Sequence, residues 1–265
     1  MPSQFVPLLR NEVAKAARRK LSWFGFFAVG LECMIVYFLG GQFSNAATTN
    51  AWGYVGFSMQ IVFTEVGPIF ITVFVAMLVA EETGAGTIRS VLAAPVYRWE
   101  LYLAKAVTGL LYMMVFSAAA LLFSAALAGI HYHFGAVGDS SGVVYGRNHA
   151  MQELLVSYAL SWIPLGALVM YGLLISALVR TPGAAVSVGI TILVIIDFTK
   201  HLMGLDPYIF TRYINYSWLN LQQMAQGMDY QWRPEVWRMI VLSGVSAAVT
   251  FVAGLIVFVR EDLNN

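Results

Sequence analysis

A chain of 265 residues that is 59% hydrophobic and 11% charged, with a mean hydropathy of +0.72, lies far from soluble domains, in which about 25% of residues are charged. That composition argues against a cytosolic globular enzyme and for a polytopic membrane protein. Fifteen Lys and Arg against 14 Asp and Glu leave a net charge of +1, which gives no reason to expect a nucleic-acid partner. The single cysteine, Cys33, excludes an intrachain disulfide and any multi-cysteine zinc site.

Residues 1–21 hold five basic positions and lack a compact apolar run ahead of a small-residue cleavage site, so they do not read as a cleavable signal. Val6, Leu9, Val13 and Ala16/Ala17 share one helical face, with Arg10, Asn11, Lys15 and Arg18 largely opposite. This pattern predicts an amphipathic helix lying in the membrane interface, against the alternative of a solvated basic tail. Six apolar stretches of about 20 residues, the length that crosses a hydrocarbon core, then follow at 22–40, 58–80, 106–130, 154–179, 184–203 and 239–259. Arg180, Thr181, Pro182 and Gly183 separate the fourth from the fifth as a tight turn. The stretches lack the alternation of a membrane β-barrel, so the expected fold is an all-α integral membrane protein in one transmembrane domain. With alternating spans, ten basic residues fall on the side of the termini and five on the other. The excess predicts that both termini are cytoplasmic, in a multi-pass protein of the plasma membrane.

Glu32 lies in the first span at about 15 Å depth, at 1.5 Å per residue. Glu65 lies in the outer third of the second, and Asp197 and Lys200, one turn apart, lie near the outer end of the fifth, with His201 after them. Ionisable groups within spans are functional candidates. These four are read either as a polar substrate pathway or as an interhelical hydrogen-bond network with an outward-snorkelling pair. Glu65 is a possible third member of the Asp197–Lys200 group.

The segment 81–105 is a cytoplasmic loop with its own pattern. Gly84 and Gly86 loosen the chain after the second span, Thr87 caps a short helix to about Ala94, and Pro95 stops it. A second helix starts near Trp99 and leads through Lys105 into the third span. Ile88, Val91 and Leu92 make the short helix a docking surface for a cytoplasmic partner. No lysine follows Gly84-Ala85-Gly86-Thr87, and no buried strand precedes it, so it is not a phosphate-binding P-loop. The chain is expected to hydrolyse no ATP and to contain no catalytic residues.

In the outer loops, His131, His133, Asp139 and His149 surround Gly138, Ser140, Ser141 and Gly142, read as a flexible loop without a metal. The aromatics Tyr208, Phe210, Tyr213, Tyr216, Trp218, Tyr230, Trp232 and Trp237 mark 205–237 as short helices dipping into the outer leaflet.

The order Glu82, Gly86, Thr87, Leu92, Pro95, Arg98 and Lys105 in 81–105 resembles the signature loop of type-2 ATP-binding-cassette (ABC-2) permeases. The interfacial N-terminal helix, six spans, long last outer loop and final Arg260, Glu261, Asp262 and Leu263 resemble that family too. The resemblance implies that two permease chains pair, more commonly as a closed homodimer, and export substrate as separate ATPase subunits bind ATP and Mg beneath them. Thr87, Ile88, Arg89 and Leu92 would form the coupling helix seated on the ATPase. Glu82 would transmit its motion at the membrane boundary, and Arg98 and Lys105 would hold the loop against lipid headgroups or the N-terminal helix. Gly84 departs from the family, many members of which carry a charge there. The competing readings are a secondary transporter, expected to show related halves and broken helices, and a membrane-embedded enzyme, for which no catalytic constellation is present.

Overall fold

The computed structural model describes residues 5–43, 50–86, 97–139, 142–228 and 233–260. Among these the chain is almost entirely helical: α1 Phe5–Arg18, α2 Lys20–Phe43, α3 Ala51–Thr64, α4 Val66–Gly84, α5 Arg98–His131, α6 Arg147–Leu178, α7 Pro182–Leu202, α8 Tyr216–Ala225 and α9 Arg233–Arg260. Six helices, α2, α4, α5, α6, α7 and α9, are long and apolar enough to cross a membrane, and the fold is that of an all-α integral membrane protein. The short helix expected at about 87–94 lies outside the described residues.

The second span differs from expectation. In place of one helix over 58–80, the chain forms α3 and then α4, broken at Glu65, whose φ of −106° and ψ of −78° fall off helical values. Two neighbouring residues cause the break. Pro68 has no N–H to offer the Thr64 carbonyl. Gly67 lies so close to the end of α3 that a β-carbon would stand 2.9 Å from both the Val62 carbonyl oxygen and Phe63 Cδ1. The membrane-crossing part is therefore α4, displaced toward the 81–105 segment, and α3 is a separate, almost wholly buried helix. The third, fourth and sixth spans extend past the apolar cores, α5 running unbroken for 34 residues.

Helix α6 is the hub, lying against α4, α8 and, most extensively, α9. Contact is close because small residues line it, the usual way helices associate in lipid. A β-carbon on Gly172 would lie 3.1 Å from Val75 Cβ. Four residues on, the Ser176 hydroxyl donates to the Ala76 carbonyl at 2.6 Å and accepts from Val79 N at 2.9 Å.

At the far end of the bundle, β1 Val137–Asp139 pairs antiparallel with β2 Gly142–Tyr145, where the sequence suggested only a flexible loop. Gly142 supplies a φ of +134° that other residues rarely adopt. The long 204–238 segment also departs from expectation. Among its described residues it forms two short 3-10 turns, α8 and the start of α9, and α8 packs inward on α3 and α6 rather than out into lipid. Trp218, Tyr213, Tyr216 and Phe210 are buried, while Tyr208 and Trp237 are exposed. The backbone of α8 comes near enough to α3 that a β-carbon on Gly56 would stand 3.0 Å from Gln222 N. Tyr230 and Trp232 lie outside the described residues.

Candidate functional site

Helix α1 has three faces instead of two. Phe5, Leu8, Glu12 and Lys15 turn toward the bundle, with Leu8 and Glu12 buried. Val6, Leu9, Val13 and Ala16/Ala17, the expected apolar face, centre about a third of a turn away and are exposed or half-buried, with Leu9 and Ala16 packing against the core. Arg10, Asn11, Ala14 and Arg18 form the remaining, exposed face. The corner into α2 closes where the Ser22 hydroxyl donates to the Ala16 carbonyl at 3.1 Å and Trp23 Nε1 donates to the Ala17 carbonyl at 3.0 Å. These carbonyls are among those that a helix end leaves without internal partners.

The inward face of α1 meets the end of α4 and the start of α5 in a closed ring of alternating charge. Lys15 Nζ lies 2.8 Å from Glu12 Oε1 and 2.8 Å from Glu82 Oε1. Lys105 Nζ lies 2.8 Å from Glu12 Oε2 and 2.8 Å from Glu82 Oε2, and donates to the Leu78 carbonyl at 2.7 Å. Two carboxylates and two ammonium groups cancel, which is what permits Lys105, 0% exposed, to stay buried. Burial opposes ionisation of Glu12, but Lys105 and then Lys15 outweigh it and hold the carboxyl below its ordinary range. Burial likewise pushes Lys15 down, but Glu12 and Glu82 outweigh it and hold the ammonium above its ordinary range. Beside the ring Arg19 pairs with Glu81 at 2.7 Å.

Both stems of the 87–96 segment are thus held. On the near side, Gly84 lies against the turn between α6 and α7: a β-carbon there would stand 3.1 Å from the Arg180 carbonyl oxygen and 3.2 Å from Pro182 Cδ. That approach leaves no room for a side chain at Gly84 without a shift of its neighbours. Gly86, two residues on, has a φ of +68°. On the far side, Arg98 Nη1 donates to the Val259 carbonyl at 3.0 Å, near the end of α9. Of the residues singled out in sequence, Glu82 and Lys105 come together, with Lys105 on the N-terminal helix as expected, through Glu12, while Arg98 reaches the last span. Thr87, Ile88, Arg89, Leu92 and Pro95 lie outside the described residues. Glu12 and Lys15 were not singled out as partners. The available signal was their i,i+3 spacing, with an acid interrupting an otherwise basic segment.

The intramembrane candidates separate into two groups. Glu32 on α2 is half-buried, and its Oε2 is enclosed with no hydrogen-bond partner. Exposed Glu65, at the α3–α4 break, acts on it electrostatically. Glu65 does not join the Asp197–Lys200 pair as expected. Lys200 pairs instead with Asp197 and, at 3.9 Å, with Asp206, while Arg212 bridges Asp206 at 3.0 Å and Glu235 at 3.6 Å. This second network ties the end of α7 to the 3-10 turns and the start of α9. Two of the histidines have partners: His131 Nδ1 is 2.8 Å from the Tyr37 hydroxyl, and His149 stacks on Tyr145.

Compared with known proteins, residues 8–198 match the family described as ABC-2 family transporter protein. No curated protein matches the chain.

Proposed function

This chain belongs to the ABC-2 transporter family, the membrane permeases of ATP-binding-cassette transporters, and on that premise we propose that it is the pathway-forming half of an exporter. Two permease chains pair, an identical partner being the simpler arrangement. Separate ATPase subunits, which bind ATP and Mg, dock on 81–105 from the cytoplasm. The observation that carries the docking site is the anchoring of both its stems. Glu82 and Lys105 share the ionic ring, Gly84 abuts the α6–α7 turn, and Arg98 holds α9. A push on 87–96, through Thr87, Ile88, Arg89, Leu92 and Pro95 and the turn at Gly86, would then move α1, α4, α5 and α9 instead of being absorbed by slack chain.

The end of the bundle bearing Arg10, Arg18, Lys20 and Arg180 is the cytoplasmic one in this reading, with both termini there, in a bacterial inner membrane. Its exposed cations, beside the lipid-facing side of α1, suit anionic headgroups. Glu32 and Glu65 line the polar route. Asp197 and Lys200 serve it indirectly, by holding the 3-10 turns over its outer end. Full transport by Glu32→Gln at normal expression would remove Glu32 from the route.

The test is recovery of the tagged chain from mild detergent, followed by an ATPase assay. A nucleotide-binding subunit is expected to co-purify, and Glu82→Ala and Arg89→Glu are expected to weaken its recovery or uncouple it. A chain that purifies alone, is inert to ATP and transports under an ion gradient in proteoliposomes would replace this reading with a secondary transporter.

A further inference from the structure

The first two turns of α5 carry a second set of contacts, on a different face from Lys105. Arg98 and Tyr102 are four residues apart and so lie one above the other. Arg98 reaches the Val259 carbonyl at 3.0 Å. That carbonyl is among the last four of α9, the negative end of the helix, where a guanidinium is well placed. Tyr102 is buried, and its ring lies 5.5 Å from the rings of both Phe251 and Phe258. It fits because Gly254 has no side chain: a β-carbon there would overlap the Tyr102 hydroxyl and stand 3.2 Å from Leu174 Cα. Helix α9 lies along α6 yet is open elsewhere, with 11% of its apolar stretch buried. The Arg98 and Tyr102 contacts therefore join the end of α9 to α5, apart from its long contact with α6.

We propose that Arg98 and Tyr102 are positioning residues that clasp the end of α9 to the start of α5, so that displacement of the loop is passed directly to the last span. The proposal rests on the reading that an ATPase acts on 87–96. Lys105 and Arg98 then divide the stroke: one carries it through the ring to α1 and α4, the other to α9. Substitutions at the two positions should fail in different places.

The experiment is hydrogen–deuterium exchange on the purified permease–ATPase complex in nanodiscs, with and without Mg, ADP and orthovanadate. In the unaltered complex, exchange at 251–260 and at 81–86 should both change on trapping. In Gly254→Val, which displaces Tyr102 from a helix outside the docking segment, the ATPase should still co-purify and 81–86 should still respond, and Arg98→Ala is compared with it on complex that retains the ATPase. The response at 251–260 should fall by more than about half, and Arg98→Lys, which keeps a donor, should restore most of it. An undiminished response at 251–260 in both disrupting variants, or no response there in the unaltered complex, overturns the clasp. Failure of the unaltered chain to bring down any ATPase overturns the functional reading and the clasp with it, and is recognised before any variant is made.

Discussion

Lys105 shows why a charge can be buried at a membrane boundary. Its ammonium has two carboxylates at 2.8 Å and a carbonyl at 2.7 Å, so its desolvation is offset by partners that are themselves held in place. Lys105→Met should cost about 3–5 kcal/mol, because Glu12 and Glu82 are left with excess buried charge. Adding Glu12→Gln should cost less than the sum of the two single changes. Thermal unfolding of the three variants in detergent measures the coupling, and strict additivity would mean that the ring does not act as a unit. The pH dependence follows from the two shifted groups. The lowered Glu12 pKa contributes stability that is complete above the ordinary carboxylate value of about 4.3 and is lost as pH falls through its depressed value. The raised Lys15 pKa contributes stability that is complete below about 10.4 and is lost as pH rises through its elevated value. From these groups the melting temperature should be flat between about pH 5 and about pH 9 and fall below that range. A steady slope across neutrality would assign the hold on α1 to other groups.

Among the elements, the break between α3 and α4 changes most relative to an apolar run read as one helix. Hydropathy registers only that 58–80 is apolar. It does not register that Gly67 and Pro68 interrupt it, although a neighbouring glycine and proline are a turn signal, as they are at Pro182-Gly183. Gly67→Ala should destabilise by about 1–3 kcal/mol, since the Val62 carbonyl, 2.9 Å from the new carbon, is backbone and cannot swing aside. Pro68→Ala should be milder, because it returns a donor to the Thr64 carbonyl and adds no bulk. Circular dichroism melts rank the two, and a reversed order would remove Gly67 as the cause of the break. The α8 segment teaches the same lesson with opposite sign. Its aromatics look like an interfacial belt, yet Trp218 stacks with Phe63 of α3, a partner roughly 150 positions away that no local pattern indicates.

For the molecule as a whole, the native Cys33 is buried and gives little labelling background, so single cysteines can test its orientation. Ala14→Cys on the exposed face of α1 should react with an impermeant maleimide only after the membrane is opened. Val143→Cys, on the 73%-exposed strand residue of the hairpin, should react in intact cells. The reverse pattern would invert the proposed topology and place 81–105 out of reach of any cytoplasmic ATPase.

The sequence by itself determined the membrane class, the α-helical architecture and the family likeness. These depend on composition, on runs long enough to cross hydrocarbon and on a local signature, all properties of consecutive residues. Glu82, Arg98 and Lys105 were visible as members of that signature. Their partners were not, because Glu12 and Glu82 are 70 positions apart and Arg98 and Val259 are 161 apart. Only the tertiary structure decided that one apolar run becomes two helices, that an aromatic loop turns inward, and that four charges close a ring. Each outcome is set by which helices pack together and how closely their glycines let them approach, and hydropathy along the chain carries no record of that.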